Sequence, residues 1–378
     1  MAGIYLHIPF CKQACHYCNF HFSVSLKTRN DFVTALLKEI NLQRDYLQAE
    51  KIDTIYFGGG TPSLLDAGEL KRILEELYNV FGMSETPEIT LEANPDDITP
   101  QKSWELSQIG FNRISLGVQS FADQDLLWMN RSHNASQALQ AVRALQEAGI
   151  SNLSLDLIYG LPGMDAGRWQ DNVSRTLDLG IPHLSCYALT VEPKTALSRM
   201  IQLAKRRPVD PDEQASQFLL LMEWMQQAGY EHYEISNFAL PGNRSRHNSS
   251  YWQGKKYLGL GPSAHSYDGL SRQWNLANNI LYIKSLDEGK VPFELETLSP
   301  AQQLNEYIMI SLRTQEGIDM DLVAAKFGKQ AALAMLPALE RYKRELKLEN
   351  ISNRVVLTRE GKLLADGIAS DLFFTENP

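Results

Sequence analysis

Between residues 3 and 191 the chain repeats one pattern: a short run of β-branched and aromatic residues, then a longer stretch with apolar residues at three- and four-residue spacing. The short runs are GIYLHI, DTIYFG, EITLEA, RISLGV, LSLDLIYG and LSCYALTV. Between them NDFVTALLKEINLQRDYL, AGELKRILEELYNVF, SQALQAVRALQEAG and RWQDNVSRTLDLG read as amphipathic helices. Strands joined by helices run parallel, because each helix carries the chain back to the end where the next strand starts. The alternation predicts an α/β fold, six βα units curved into a partial (β/α)6 TIM-like barrel. Chemistry in such a barrel belongs at the rim formed by the C-terminal strand ends.

After residue 191 the rhythm changes. SRMIQLAKRRPVDPDE leads into the helical QASQFLLLMEWMQQAG and then a Gly- and Tyr-rich region. Near 290 it changes again. SPAQQLNEYIMISLRT, MDLVAAKF and LPALERYKREL read as helices, and RVVLTREGKLLADGIASDLF as a hairpin before a last helix. The expected division is a barrel with its extension over 1–290 and a small helical, winged-helix-like domain over 291–378. With 378 residues, 44% apolar and 21% charged, the chain can bury a large core.

The net charge of −9 repels phosphate backbones, so nucleic acid is not an expected partner. The densest apolar run, FLLLM at 218–222, falls far short of the ~20 residues that span a bilayer. MAGIYLHIPF has no basic start or long apolar stretch of a secretory signal, so a cytoplasmic location is expected. Four cysteines, with Cys11, Cys15 and Cys18 clustered and Cys186 alone, do not make a disulfide framework. Cys186, mid-strand in LSCYALTV, reads as a small buried hydrophobe.

Cys11, Cys15 and Cys18 follow the first predicted strand, on a loop that can turn all three sulfurs to one site. Three soft ligands suit zinc or an iron–sulfur cluster. Zinc would want a fourth ligand, with His16 or His21 at hand, yet structural zinc motifs usually arrive as two spaced pairs. Three plain buried cysteines are the other alternative. A [4Fe–4S] cluster held by three cysteines leaves one iron open to an outside ligand.

The spacing Cys11-x3-Cys15-x2-Cys18 after a first barrel strand, with Tyr17 before the last cysteine, resembles the signature of the radical S-adenosylmethionine (SAM) superfamily. The resemblance implies a [4Fe–4S] cluster whose open iron binds SAM, with Tyr17 against the adenine. YFGGGTPSLL at 56–65 occupies the place of the superfamily segment that holds the methionyl amino group, bringing in Gly59, Gly60 and Thr61. A tight strand-to-helix turn explains a glycine run equally well. Glu92, Gln119 and Asp156, at the tops of later strands, suit ribose hydroxyls and an ammonium; Arg131 suits a carboxylate, and Tyr5 adds a ring and hydroxyl from below. Taken singly, each also reads as an ordinary polar residue capping a helix. SAM-binding residues of this kind serve radical cleavage, structure or regulation alike.

YLHIPFC, EANPD, SLGVQSF, YGLPG, YEISNFA, RHNSSYW and YLGLGPSAHS extend the likeness along nearly the whole chain. Together they resemble the oxygen-independent coproporphyrinogen III oxidase-like proteins, and among them the heme chaperones. The true oxidases carry a further cysteine two residues after the third and a longer segment before the first strand. Here Phe20 stands at that position and ten residues precede Cys11. Both departures disfavour oxidative decarboxylation, the alternative function. RHNSSYW contains the HNxxYW pattern of the heme chaperones, which implies heme contact at His247. His265 in GPSAHSY is a second candidate, equally readable as part of a Gly-rich turn. The implied partners are heme as cargo and heme-receiving respiratory enzymes, met at the inner face of the membrane.

Overall fold

The computed structural model describes residues 1–375. Strands β1 (Ala2–Ile8), β2 (Ile52–Gly59), β3 (Met83–Ala93), β4 (Arg113–Gln119), β5 (Leu153–Tyr159) and β6 (His183–Ala188) lie side by side in that order, each parallel to the next. Helices α1 (Arg29–Leu42), α2 (Ala67–Val80), α3 (Pro100–Ile109), α4 (Asp123–Met129), α5 (Ala135–Glu147) and α6 (Ala166–Asp178) fill the connections. Several start on side-chain caps: Asp66 and Glu69 form a capping box at α2, as do Asn134 and Gln137 at α5.

The strands alternate strictly, and this decides which face does what. On β1, Ile4, Leu6 and Ile8 are fully buried in the apolar core, each worth about 1.5–3 kcal/mol of burial. Gly3, Tyr5 and His7 face the other way, opposite Thr54, Tyr56 and Gly58 of β2. The same alternation puts Glu88, Thr90 and Glu92 of β3 on that inner face, with Arg113 and Ser115 of β4, Ser154 and Asp156 of β5, and His183 and Ser185 of β6 beside them. The barrel interior is therefore polar while its outer face is apolar.

The sheet does not stop at six strands. After α7 (Ala196–Gln202) and α8 (Pro211–Gln227), β7 (Glu231–Glu234) and β8 (Asn237–Ala239) add an antiparallel pair beyond β6. Past α9 (Arg246–Trp252), β9 (Tyr257–Leu260) pairs parallel with β1 on its free side. Then β10 (His265–Tyr267), β11 (Ser271–Asn275) and, after α10 (Asn279–Asp287), β12 (Phe293–Thr297) complete a 12-stranded sheet. Glu39 of α1 fastens this extension. Its fully buried carboxylate accepts from the Gly261 N–H at 2.7 Å, Asn275 Nδ2 at 2.6 Å and the Tyr282 hydroxyl at 2.6 Å.

A second core gathers α11 (Pro300–Leu312), α12 (Met320–Phe327), α13 (Lys329–Arg344) and α14 (Ala365–Asp371) with a small sheet of β13 (Ile318–Asp319), β15 (Arg354–Leu357) and β14 (Leu348–Ile351). This is the expected helical unit with a wing, but its border differs. β12, over Phe293–Thr297, still pairs with β11, and the second core starts at Leu304, so the division falls near Leu298 and not at 290. Helix α13 also begins seven residues before the predicted LPALERYKREL, because Pro337 is accommodated inside it. Arg313 joins the two units through Glu234 at 2.9 Å. No helix among the described residues is long and apolar enough to cross a membrane.

Candidate functional site

The cysteine loop leaves β1 and is fastened across the barrel mouth to the C-terminal end of α4. The His16 N–H donates to Met129 O at 3.1 Å, Asn130 Nδ2 to Ala14 O at 2.8 Å, and Gln13 Nε2 to Asn130 O at 3.0 Å. Lys12 pairs with Asp96 at 2.9 Å and with Asp97, tying the loop to the end of β3. Cys11, Cys15 and Cys18 are free and half-buried. Burial pushes the Cys11 thiol up to about 11, helped by the neighbouring Cys18 and Cys15 and opposed by Thr61; Cys18 is raised by burial as well.

The three cysteines thus share one loop and feel one another, yet they do not close on a single point. Among the described residues no three His, Cys, Asp or Glu side chains are gathered to hold one metal ion. His16 and His21, the reserve zinc ligands, are engaged elsewhere: His16 Nδ1 lies 3.0 Å from Trp128 O, and His21 Nε2 lies 2.7 Å from Asn279 Oδ1.

Around the cysteines the structure brings the predicted polar residues to one rim. Arg131 donates to Cys15 Sγ at 3.3 Å, to Asn94 Oδ1 at 2.5 Å and to Gly117 O at 2.8 Å, and the Thr61 hydroxyl donates to Cys11 Sγ at 3.5 Å. Tyr17 packs half-buried beside Arg131, whose charge opposes the rise that burial gives the phenol. Glu92 accepts from the Tyr56 hydroxyl at 2.8 Å and the Gly59 N–H at 3.2 Å. Asp156 accepts from Ser115 at 3.2 Å. Burial, with Asp156 close by, pushes the Glu92 carboxyl up to about 7; burial likewise lifts Asp156 to about 6. Tyr5 stands one layer lower, its hydroxyl 3.2 Å from His7 Nδ1. Gln119 ends β4 in a left-handed conformation, φ 65°, a strained state for a residue with a side chain.

These residues fit a polar, charged ligand in one specific respect. Gln119 Oε1 and Arg131 Nε are buried without a hydrogen-bond partner at this rim. Buried orphan atoms are costly, and an acceptor beside a guanidinium donor suits ribose hydroxyls and a carboxylate. The glycine run departs from its expected role. A Cβ on Gly59, φ +106°, would lie 2.7 Å from the His7 ring, and one on Gly60 2.6 Å from Phe10 O. Their N–H groups are spent on Glu92 and on Ile8 O. The glycines are thus required by the chain's own packing, and only their carbonyls remain to present to an ammonium.

His247 stands at the opposite end of the strands from the cysteines. Helix α9 plugs the N-terminal end of the barrel, with Glu88 accepting from the N–H groups of Arg246 at 3.0 Å and His247 at 2.9 Å. The imidazole is fully buried, its Nδ1 2.8 Å from Thr54 Oγ1 and its Nε2 2.8 Å from the Tyr251 hydroxyl, and it stacks on Tyr56 at 4.9 Å. Both nitrogens are taken and one face is covered, so in this arrangement His247 offers a heme iron nothing. The expected heme contact gives way to a structural role that local sequence could not show, since Thr54 lies 193 residues away. Cys186 is buried among apolar neighbours, as expected.

Residues that sequence reasoning passed over include His7, Asn94, Ser115 and Arg113. Asn94 accepts from Arg131 and donates to Thr61 at 3.2 Å, linking the two residues that touch the cysteines. The available signal was alternation: in EITLEA and RISLGV every second residue is polar or small, which marks a polar interior.

Glu92 carries a pH consequence. The folded chain keeps its carboxyl protonated up to about pH 7, whereas the unfolded chain loses that proton near 4.5, so ionisation lowers stability as pH rises across this interval. The melting temperature of Glu92→Gln is expected to rise by a few degrees relative to the native chain between pH 4.5 and 7. A difference that stays constant contradicts the assignment.

A cysteine loop on β1, a parallel half-barrel and a charged rim define a radical SAM protein. A profile of the radical SAM superfamily matches residues 5–175, and one of the HemN C-terminal domain matches 298–364. The chain belongs to the HemW heme-chaperone family. It is 32% identical over 371 residues to the "Heme chaperone HemW" of Bacillus subtilis, covering 97% of this chain and 98% of that one. It is also 32% identical to the protein of that name from Mycobacterium tuberculosis, over 98% of this chain and 94% of that one. The solved structure of coproporphyrinogen III oxidase (HemN) from Escherichia coli, described as a radical SAM enzyme, superposes with a TM-score of 0.86 at 23% identity, covering 99% and 91% of the two chains. That likeness establishes the fold. Radical SAM membership implies SAM and a [4Fe–4S] cluster.

Proposed function

We propose that this protein is a heme chaperone that carries a [4Fe–4S] cluster and SAM and delivers heme to respiratory hemoproteins. Cys11, Cys15 and Cys18 hold the cluster. Arg131 and Gln119 bind SAM through its carboxylate and ribose, with Glu92 and Asp156 for its ammonium and hydroxyls, Thr61 and the Gly59 and Gly60 carbonyls beside them, Tyr17 against the adenine and Tyr5 below. When bound, the cluster supplies the electron that can cleave the SAM sulfonium to methionine and a 5′-deoxyadenosyl radical. Arg131 fixes positive charge beside Cys15, and the buried Glu92 and Asp156 hold protons or negative charge at the rim as pH dictates.

The similarity over the full length to proteins named heme chaperones carries this reading. The fold shared with HemN supports the alternative, oxidative decarboxylation of coproporphyrinogen III. Phe20 weighs against it: where the oxidases place another cysteine, this chain puts a phenyl ring that is 67% exposed at the mouth of the large cleft. In the test, heme is titrated into cluster-reconstituted protein under anaerobic conditions and the Soret band recorded. One saturable equivalent per chain is expected, and a Soret change that never saturates counts against heme carriage.

A further inference from the structure

A cleft of about 1060 Å³ lies between the barrel and the C-terminal unit, bounded by the cysteine loop, the end of α9, the β9–β11 extension and α11. This is large even against the roughly 300–1,000 Å³ common for ligand pockets, so it accommodates a macrocycle. We propose that this cleft is the heme site and that His265 is the axial iron ligand. The assignment rests on the heme-carrier reading and gives that cargo a place.

Three imidazoles line the cleft, and their bonding separates them. His7 is committed at both nitrogens, to the Tyr5 hydroxyl at 3.2 Å and to His21 O at 2.9 Å. His21 is held by Asn279 at 2.7 Å. His265 is exposed at the head of β10, and its ring makes no hydrogen bond to any described residue. It stacks on Trp274 across the β10–β11 ladder, centroids 6.1 Å apart at 26°, which orients the ring while leaving its nitrogens open. An iron ligand needs a neutral imidazole with a free nitrogen and a fixed ring plane. His265 meets that requirement, and His247 does not.

The surroundings match the rest of a heme. Tyr251, Trp252, Tyr257 and Tyr267 give the cleft an aromatic lining, Tyr251 edge-on to Tyr257, with Arg313 over one face of Trp252 and Arg272 over one face of Tyr267, and Phe20 stands at the mouth. Of the cleft's cations, Arg244, Arg272 and Arg354 are paired with Glu231, Glu306 and Asp319. Lys255 and Lys326, the latter lying over the Phe327 ring, line the same cleft and form no ion pair among the described residues, which suits the two propionates.

Hemin titrations of the full-length, cluster-reconstituted native chain, His265→Ala and His265→Cys test this. His265→Ala is expected to weaken binding at least tenfold and to lose the histidine-ligated Soret and low-spin resonance spectra. His265→Cys is expected to restore ligation with a thiolate-type spectrum, which a merely structural histidine would not produce. Variants that keep the native affinity and spectrum overturn the site and leave heme carriage standing. If the native chain itself shows no saturable binding, heme carriage falls, and the site with it.

Discussion

Cys15→Ala protein, treated anaerobically with iron and sulfide, is expected to retain no iron–sulfur cluster, whereas the native chain takes up about four irons. The loss is expected to be total because two thiolates cannot anchor a cluster that already lacks a fourth protein ligand, and the nearest histidines are hydrogen-bonded to Trp128 and Asn279. Cys15 is also the sulfur that Arg131 approaches, so its removal leaves a guanidinium of the rim without that partner. Iron content and the absorbance near 400 nm measure the outcome. Cluster absorbance surviving in Cys15→Ala shows that the ligands lie elsewhere.

Mild acid is expected to unfold the protein between pH 6.5 and about 4. Four buried histidines and the half-buried His232 have pKa values pushed down, each chiefly by loss of solvent: His7 and His133 to about 4, His232 and His247 to about 3, and His183 well below its usual value. The unfolded chain takes up these protons near pH 6.5 and the folded chain does not, so stability present above 6.5 is lost as pH falls through that interval. Acidification from pH 6.5 to 4 therefore costs about 3 kcal/mol per group, against a total stability of about 5–15 kcal/mol. Glu92, Asp156, Glu39 and Asp125, whose carboxyls burial raises, act in the opposite sense, but they are four against five, and Asp96 and Asp268, held below the usual carboxylate range, add to the loss in acid. Circular dichroism followed against pH checks this, and an unchanged melting temperature at pH 4.5 and 7 contradicts it.

Much of this was legible in the sequence because the deciding physics is local. Strand and helix periods differ, so the six βα units announced themselves, and three cysteines within eight positions need no tertiary information to suggest soft-ligand chemistry. The rest is set by partners far along the chain. His247 reads as a ligand in RHNSSYW and becomes a plug only when Thr54, Glu88 and Tyr56 close around it. Gly59 and Gly60 read as room for a ligand, whereas the His7 ring and Phe10 carbonyl already fill that room. β9 and β10, four and three residues long, carry too little pattern to be recognised, though they extend the sheet beyond β1 and build the wall where His265 stands. The domain border moved for a similar reason: FELET of β12 is exposed throughout and shows no buried stripe.

The central claim, a radical SAM fold turned to carrying heme, is tested most directly on one anaerobic, cluster-reconstituted preparation supplied with SAM and a reductant. One portion receives heme and the other coproporphyrinogen III. One tightly held heme per chain, with neither CO2 nor protoporphyrinogen released, is the predicted result; decarboxylation without saturable heme binding would contradict it.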